Sequence, residues 1–186
     1  MMRPTVTANI ERGAFAVVLC ASPVIAMSQD FKAMLVAKRA DVEIVLTQTF
    51  AASPDRVFRA LTNPGDITQW MQTGPFKLVE CDIDLRVGGA LRFRYQRSGG
   101  PTIEVRGIYE SVDAPHAIRY AESYDFSPLT LTVSVRLVES NGGTMFTQTI
   151  RYRTEQERDA DFPNIASSSP NAYARLQTFL TESAAR

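Results

Sequence analysis

The side-chain alternation along this chain predicts an α+β fold: a curved antiparallel β-sheet of about seven strands wrapped around a long C-terminal helix, with two short helices after the first strand. Three observations carry that expectation. Between residues 77 and 154, six runs of alternating apolar and polar side chains follow one another with almost no helical signal between them. Proline-opened apolar stripes at 54–71 separate those runs from an earlier β-branched one. Near the end, Tyr173, Leu176 and Leu180 stand at i, i+3 and i+7, with Phe179 alongside, and give a helix one apolar side. A chain of 186 residues has room for one such domain and an extension.

The extension is residues 1–40 and the domain 41–186. Arg3 and Arg12 precede an apolar stretch, Gly13 to Ala26, that ends in small residues before Gln29 and Asp30. This is the outline of a cleaved secretory signal, too short for a membrane span and interrupted by Pro23. The competing reading, which sets the expected location as cytoplasmic, starts translation at Met27 or Met34; export is the alternative if residues 1–28 are a cleaved signal. Residues 28–40 read as a short helical lead-in.

DVEIVLTQTF, from Asp41 to Phe50, reads as the first strand. Ser53, Pro54 and Asp55 supply a cap, a first-turn proline and a first-turn acid, so a helix starts at Pro54 with Val57, Phe58 and Leu61 inward. Asn63-Pro64-Gly65 breaks it, and a second short helix around 66–71 carries Ile67 and Trp70.

The six strands are expected at about 77–86, 89–97, 102–112, 116–125, 129–139 and 143–154. Asn141-Gly142 is a two-residue hairpin signal, which pairs Ser140 with Gly143, Leu137 with Phe146, Val135 with Gln148 and Val133 with Ile150. At Gly88-Gly89 a three-residue loop, 87–89, is expected, with Val79, Cys81, Ile83 and Leu85 inward. That register sets Asp84 opposite Arg92 and Asp82 opposite Arg94, so Glu80, Asp82 and Asp84 read as an exposed salt ladder and not a metal cluster. In the tail, 154–161 is charged, Phe162-Pro163-Asn164 reads as a break, and Ser168-Ser169-Pro170 starts a last helix that runs to about Ser183.

Composition removes several function classes. Twenty basic and twenty acidic residues cancel; residues 41–186 hold fifteen and eighteen of them, a net of −3, which is not the charge of a nucleic-acid binder. His116 is the only histidine and follows Pro115 in a turn, and Cys20 and Cys81 make no metal spacing, so neither a metal site nor a catalytic triad is expected. Cys81 reads as a packed thiol, and Trp70 and Phe58 read as core before they read as stacking surfaces.

Inward parity and the helix stripe select the candidate ligand-binding residues Phe93, Tyr95, Val105, Tyr109, Tyr120, Glu122, Phe146 and Gln148, closed by Tyr173 and Leu176 from the last helix, and Trp70 of the second short helix is counted with them. Glu122 and Gln148 are polar groups on the inner face and need partners there. Either a ligand in a pocket satisfies them, or Glu122 sits near a strand end and Gln148 bonds a tyrosine hydroxyl.

Thr49-Phe50-Ala51-Ala52-Ser53-Pro54 with Val57-Phe58, then Leu61-Thr62-Asn63-Pro64 and Trp70, Asp84-Leu85-Arg86-Val87-Gly88-Gly89 with Leu91-Arg92-Phe93, and Val105-Arg106-Gly107-Ile108-Tyr109 resemble the SRPBCC superfamily. These are the START/Bet v-like helix-grip proteins. The closer resemblance is to the branch of activator of heat-shock-protein-90 ATPase homologues, over about Ile44 to Leu180. It implies a helix-grip fold and a cavity between sheet and last helix that holds a hydrophobic small molecule. Met71, and the Ser and Asn residues near the start of the last helix, stand where members of that branch commonly carry tryptophan, a change that widens or reshapes the pocket mouth.

The function expected is therefore non-enzymatic binding of a hydrophobic small molecule, of the kind found in stress-related members, with no cofactor and no assigned catalytic residue. The alternatives are a cyclase or hydrolase using Glu122 with a tyrosine, and a co-chaperone-like protein-binding domain, disfavoured because the chain has no second domain. A homodimer is left open.

Overall fold

The computed structural model describes residues 36–73 and 75–184. The leader and translation-start expectations concern residues outside that range. The elements are β1 (Val36–Ala40), β2 (Glu43–Phe50), α1 (Pro54–Thr62), α2 (Pro64–Trp70), β3 (Gln72–Thr73), β4 (Phe76–Ile83), β5 (Ala90–Arg97), β6 (Thr102–Asp113), β7 (Ala117–Tyr124), β8 (Thr130–Ser140), β9 (Gly143–Arg151) and α3 (Glu155–Ala184). One nine-stranded antiparallel sheet runs in the order β1-β2-β9-β8-β7-β6-β5-β4-β3, so the second strand lies beside the last. This is the predicted α+β helix-grip architecture with a short strand added at each edge. Residues 36–40 are one of those additions, a strand and not the expected helical lead-in: Asp41 takes a positive φ of 43° and turns the chain so that Ala40 pairs with Glu43, which gives the open edge of β2 a ladder partner.

The Asn141-Gly142 hairpin has the predicted register, Leu137 opposite Phe146 and Val135 opposite Gln148, and both turn residues have positive φ. The β4–β5 hairpin departs from its expected register by two residues. Asp82 faces Arg92 and Glu80 faces Arg94, and the loop spans 84–89, closed by Asp84 N donating to Ala90 O at 2.8 Å. Parity survives because the shift is even. A bulge between Leu78 and Glu80 then turns Val79 outward, to 53% exposure, and brings Leu78 into the core in its place. The salt ladder stands with shifted partners: Arg92 reaches both Glu80 and Asp82, Arg94 reaches Glu80, and Asp84 pairs with Arg86.

Ser53 caps α1, its hydroxyl accepting from Arg56 N at 3.3 Å. Asn63 closes α1 and caps α2, accepting from Asp66 N at 3.1 Å, so α2 begins at Pro64, two residues before the expected start. The larger correction is in the tail, where α3 is one helix of thirty residues that passes through both Pro163 and Pro170. Those prolines are seven residues apart and both exposed, so the carbonyls left without an N–H donor face water. On the opposite side a stripe runs unbroken through Arg158, Phe162, Ile165, Ser169, Tyr173, Leu176 and Leu180, all buried or half-buried. Packing of that stripe outweighs the two lost hydrogen bonds. The core lies between it and the concave face of the sheet, around Ile44, Leu46, Phe50, Val57, Ile67, Leu137 and Phe146. Among the described residues no helix is long and apolar enough to cross a membrane.

Candidate functional site

Inward alternation on β5 to β9 carries Leu91, Phe93, Tyr109, Ile118, Tyr120, Val135, Phe146 and Gln148 to one region of the concave face. With Leu61, Trp70 and Met71 from the α1–α2 segment and Tyr173 from α3, they line an interior cavity of about 60 Å³. Trp70 is fixed at its rim, the indole Nε1 donating to Ala60 O at 2.9 Å. Aromatic rings form much of the wall: Tyr173 lies 5.0 Å from Phe146 and 6.3 Å from Phe50, and Tyr109 meets Tyr120 edge to face at 5.8 Å.

The polar groups in this wall are unevenly matched. The Tyr173 hydroxyl donates to Gln148 Oε1 at 2.5 Å, which ties α3 to β9. Among the described residues, the hydroxyls of Tyr109 and Tyr120 and the side-chain nitrogen of Gln148 have no hydrogen-bond partner. Tyr109 is only 2% exposed. Burial pushes the Tyr109 phenol up to about 12, and burial with neighbouring Glu122, Tyr173 and Tyr109 raises that of Tyr120. Both therefore stay protonated and able to donate across the ordinary pH range.

A second, larger space of about 440 Å³ opens to the surface beside this cavity. Trp70, Met71, Tyr95 and Tyr173 form its apolar floor, and Ser167, Ser168, Ser169, Asn171 and Arg175 of α3 its polar rim. Trp70, Met71 and Tyr173 line both spaces and so stand where the two adjoin. The Met71 sulfur accepts from the Tyr95 hydroxyl at 3.1 Å, and Arg175 Nε donates to the Trp70 carbonyl at 3.1 Å.

Of the residues selected from the sequence, Trp70, Phe93, Tyr109, Tyr120, Phe146, Gln148 and Tyr173 meet at the interior cavity, and Tyr95 joins Trp70 and Tyr173 at the cleft. Val105, Glu122 and Leu176 line neither. Val105 pairs with Tyr124 farther along the sheet, and Leu176 is fully buried in the core under the helix. Glu122 lies near the end of β7, accepts a hydrogen bond from the Tyr124 hydroxyl, and borders a groove beside Gly107, Ile108 and Thr130. Desolvation raises its carboxyl to about 7, with Asp161 of α3 adding to the effect and the Tyr124 hydrogen bond opposing it. Asp161 in turn accepts from the Tyr152 hydroxyl at 2.7 Å.

Sequence reasoning missed the serine rim because it started the last helix at Pro170; the stripe spacing through Phe162, Ile165 and Ser169 was the available signal. Burial pushes the Cys81 thiol up to about 11, consistent with a packed side chain. Among the described residues no group of three His, Cys, Asp or Glu side chains could hold a metal ion.

Solved structures share this architecture. A Rhodobacter sphaeroides protein is 25% identical with a TM-score of 0.74, the match covering 80% of this chain and 98% of that one. A Nitrosomonas europaea protein is 19% identical, with a TM-score of 0.71 and coverage of 80% and 99%. One from Mycobacterium smegmatis is also 19% identical, with a TM-score of 0.69 and coverage of 81% and 99%. Comparison with curated proteins gives no match. The family model for activator of Hsp90 ATPase homolog 1-like proteins matches residues 51–181, a span that includes every residue lining the cavity and the cleft, and the chain belongs to that family.

Proposed function

We propose that this protein binds a hydrophobic small molecule between the concave face of the sheet and α3, without catalysing its conversion. The observation that supports the reading is the shared wall. Trp70, Met71 and Tyr173 alone divide an aromatic interior from an open cleft, and Met71 is an unbranched thioether able to change rotamer at small cost. Movement of that side chain would join the two into one space within the range of about 300 to 1,000 Å³ usual for small-molecule sites. The cavity lining contains no carboxylate, which ranks binding ahead of cyclase or hydrolase chemistry at Glu122. A co-chaperone role ranks lower because the polar groups without partners lie in the interior, where a protein partner would not reach them.

Trp70 is the only tryptophan, so its indole N–H gives a single resonance in nitrogen–proton correlation spectra. A panel of bicyclic aromatic compounds and medium-chain fatty acids is titrated against the labelled protein. Saturable shifts of that resonance with at least one member are expected. A folded protein whose Trp70 signal is unmoved by the whole panel would overturn the reading.

A further inference from the structure

The interior cavity has a chemical bias that its apolar walls conceal. Three polar groups face it without protein partners: the hydroxyls of Tyr109 and Tyr120, and the side-chain nitrogen of Gln148. Because Gln148 Oε1 accepts from Tyr173, its remaining capacity is that of an N–H₂ donor. An amide nitrogen donates only, and phenols donate readily, so the set is matched to an acceptor. No cation lines the cavity. A carboxylate there would be buried without a counter-charge, at a cost several hydrogen bonds do not offset, and a neutral oxygen would not. At about 60 Å³ the space takes a small functional group and excludes a ring. The ring-sized room is in the cleft, behind Trp70, Met71 and Tyr173.

We infer that the cavity is the seat of a neutral carbonyl oxygen on an aromatic ligand, held by the hydroxyls of Tyr109 and Tyr120 and the Gln148 amide, with the ligand's ring system passing the Trp70–Met71–Tyr173 wall into the cleft. This assignment of ligand class rests on the binding function proposed above. It adds that the apolar site discriminates by one polar atom: a ligand lacking that atom leaves the donors unsatisfied, and one carrying it engages two of them at once.

The test compares two probes of the same shape, an acetylnaphthalene and the matching isopropenylnaphthalene, in which a methylene replaces the carbonyl oxygen. Calorimetric titration of the full chain is expected to show the ketone binding about tenfold more tightly, the effect of one to two net hydrogen bonds. In the Tyr109→Phe/Tyr120→Phe double variant the advantage should fall to about twofold or less, the ketone losing affinity and the hydrocarbon gaining it as two donors it leaves unsatisfied are removed. If that variant does not fold, the infrared carbonyl stretch of the isotopically labelled ketone on the wild-type protein decides: a shift to lower frequency than in hydrocarbon solvent is expected. Equal affinities for the two probes, or an unshifted stretch, would overturn the carbonyl seat and leave the binding function standing. Binding of neither probe, with the Trp70 resonance also unmoved across the panel, would remove both.

Discussion

The hydroxyl of Tyr173 on α3 and Oε1 of Gln148 on β9 are 2.5 Å apart, a hydrogen bond that joins the long helix to the sheet at the wall of the interior cavity. The same two residues orient the cavity: with Oε1 engaged, Gln148 offers its nitrogen inward, and Tyr173 holds its ring against Phe146 and Phe50.

Tyr173→Phe should therefore destabilise by about 1 to 2 kcal/mol, since it keeps the ring packing and removes the donor from a half-buried carbonyl oxygen. Gln148→Leu should cost less than Gln148→Ala, because the leucine refills the space. A double-mutant cycle on urea denaturation should give a coupling of about 1 kcal/mol between Tyr173→Phe and Gln148→Leu; additive effects would show that the hydrogen bond does not tie α3 to β9.

Glu122 should make stability fall as pH rises through the neutral range. Its carboxyl is raised to about 7 in the folded chain, against about 4.3 for an unfolded glutamate, so between those values the folded state holds a proton that the unfolded state releases. Stability fully present below about pH 4.3 is lost progressively up to about pH 7, by at most about 2 kcal/mol for a group still partly open to solvent. Glu122→Gln keeps an acceptor for the Tyr124 hydroxyl and cannot ionise. Unfolding free energies measured from pH 4 to 8 should decline for the wild-type protein and stay level for the variant; parallel curves would contradict the assignment.

The adjacent glycines of the β4–β5 loop should respond very differently to a methyl group. Gly88 has φ +77° and open space around it, so Gly88→Ala should cost about 1 kcal/mol from backbone conformation alone. A Cβ on Gly89 would lie 2.0 Å from the Asp84 carbonyl oxygen, and that atom belongs to the backbone that closes the loop. Gly89→Ala should cost about 3 kcal/mol or more. Thermal denaturation of the two variants checks the contrast, and similar losses would mean the loop relaxes.

Met71→Trp should narrow the wall between cavity and cleft. The indole would occupy space that the thioether leaves to a rotamer change, so affinity for aromatic ligands should fall at least tenfold with the fold retained. Unchanged affinity would place ligand entry elsewhere.

What was legible in the sequence follows from which signals are local. Asn141-Gly142 specifies a turn whose length, with side-chain parity, sets the whole β8–β9 register. Gly88-Gly89 shows that a turn exists but not its length: two registers that differ by two residues give the same parity, and no local residue announces the bulge at Val79. Pro163 and Pro170 read as breaks because a proline's cost is local, whereas the stripe that overrides it is distributed from Arg158 to Leu180. The cavity-facing residues were legible because alternation holds along the cavity-facing stretches of β5 to β9, the bulge on β6 falling after Tyr109. The cleft rim was not, because it depends on where a helix begins. Glu122 faces inward as its parity implies, toward Asp161 of α3, but it bonds Tyr124 near the end of β7 and so lies outside the cavity lining.

Entry of an apolar ligand between α3 and the concave face of the sheet is read out by the position of a bromine atom. Crystals grown with a bromo-substituted acetylnaphthalene should give an anomalous peak in the cleft beside Trp70, Met71 and Tyr173, with the carbonyl density directed at Tyr109 and Tyr120. A bromine peak on the outer face of the sheet, with the cavity still closed behind Met71, would contradict the claim.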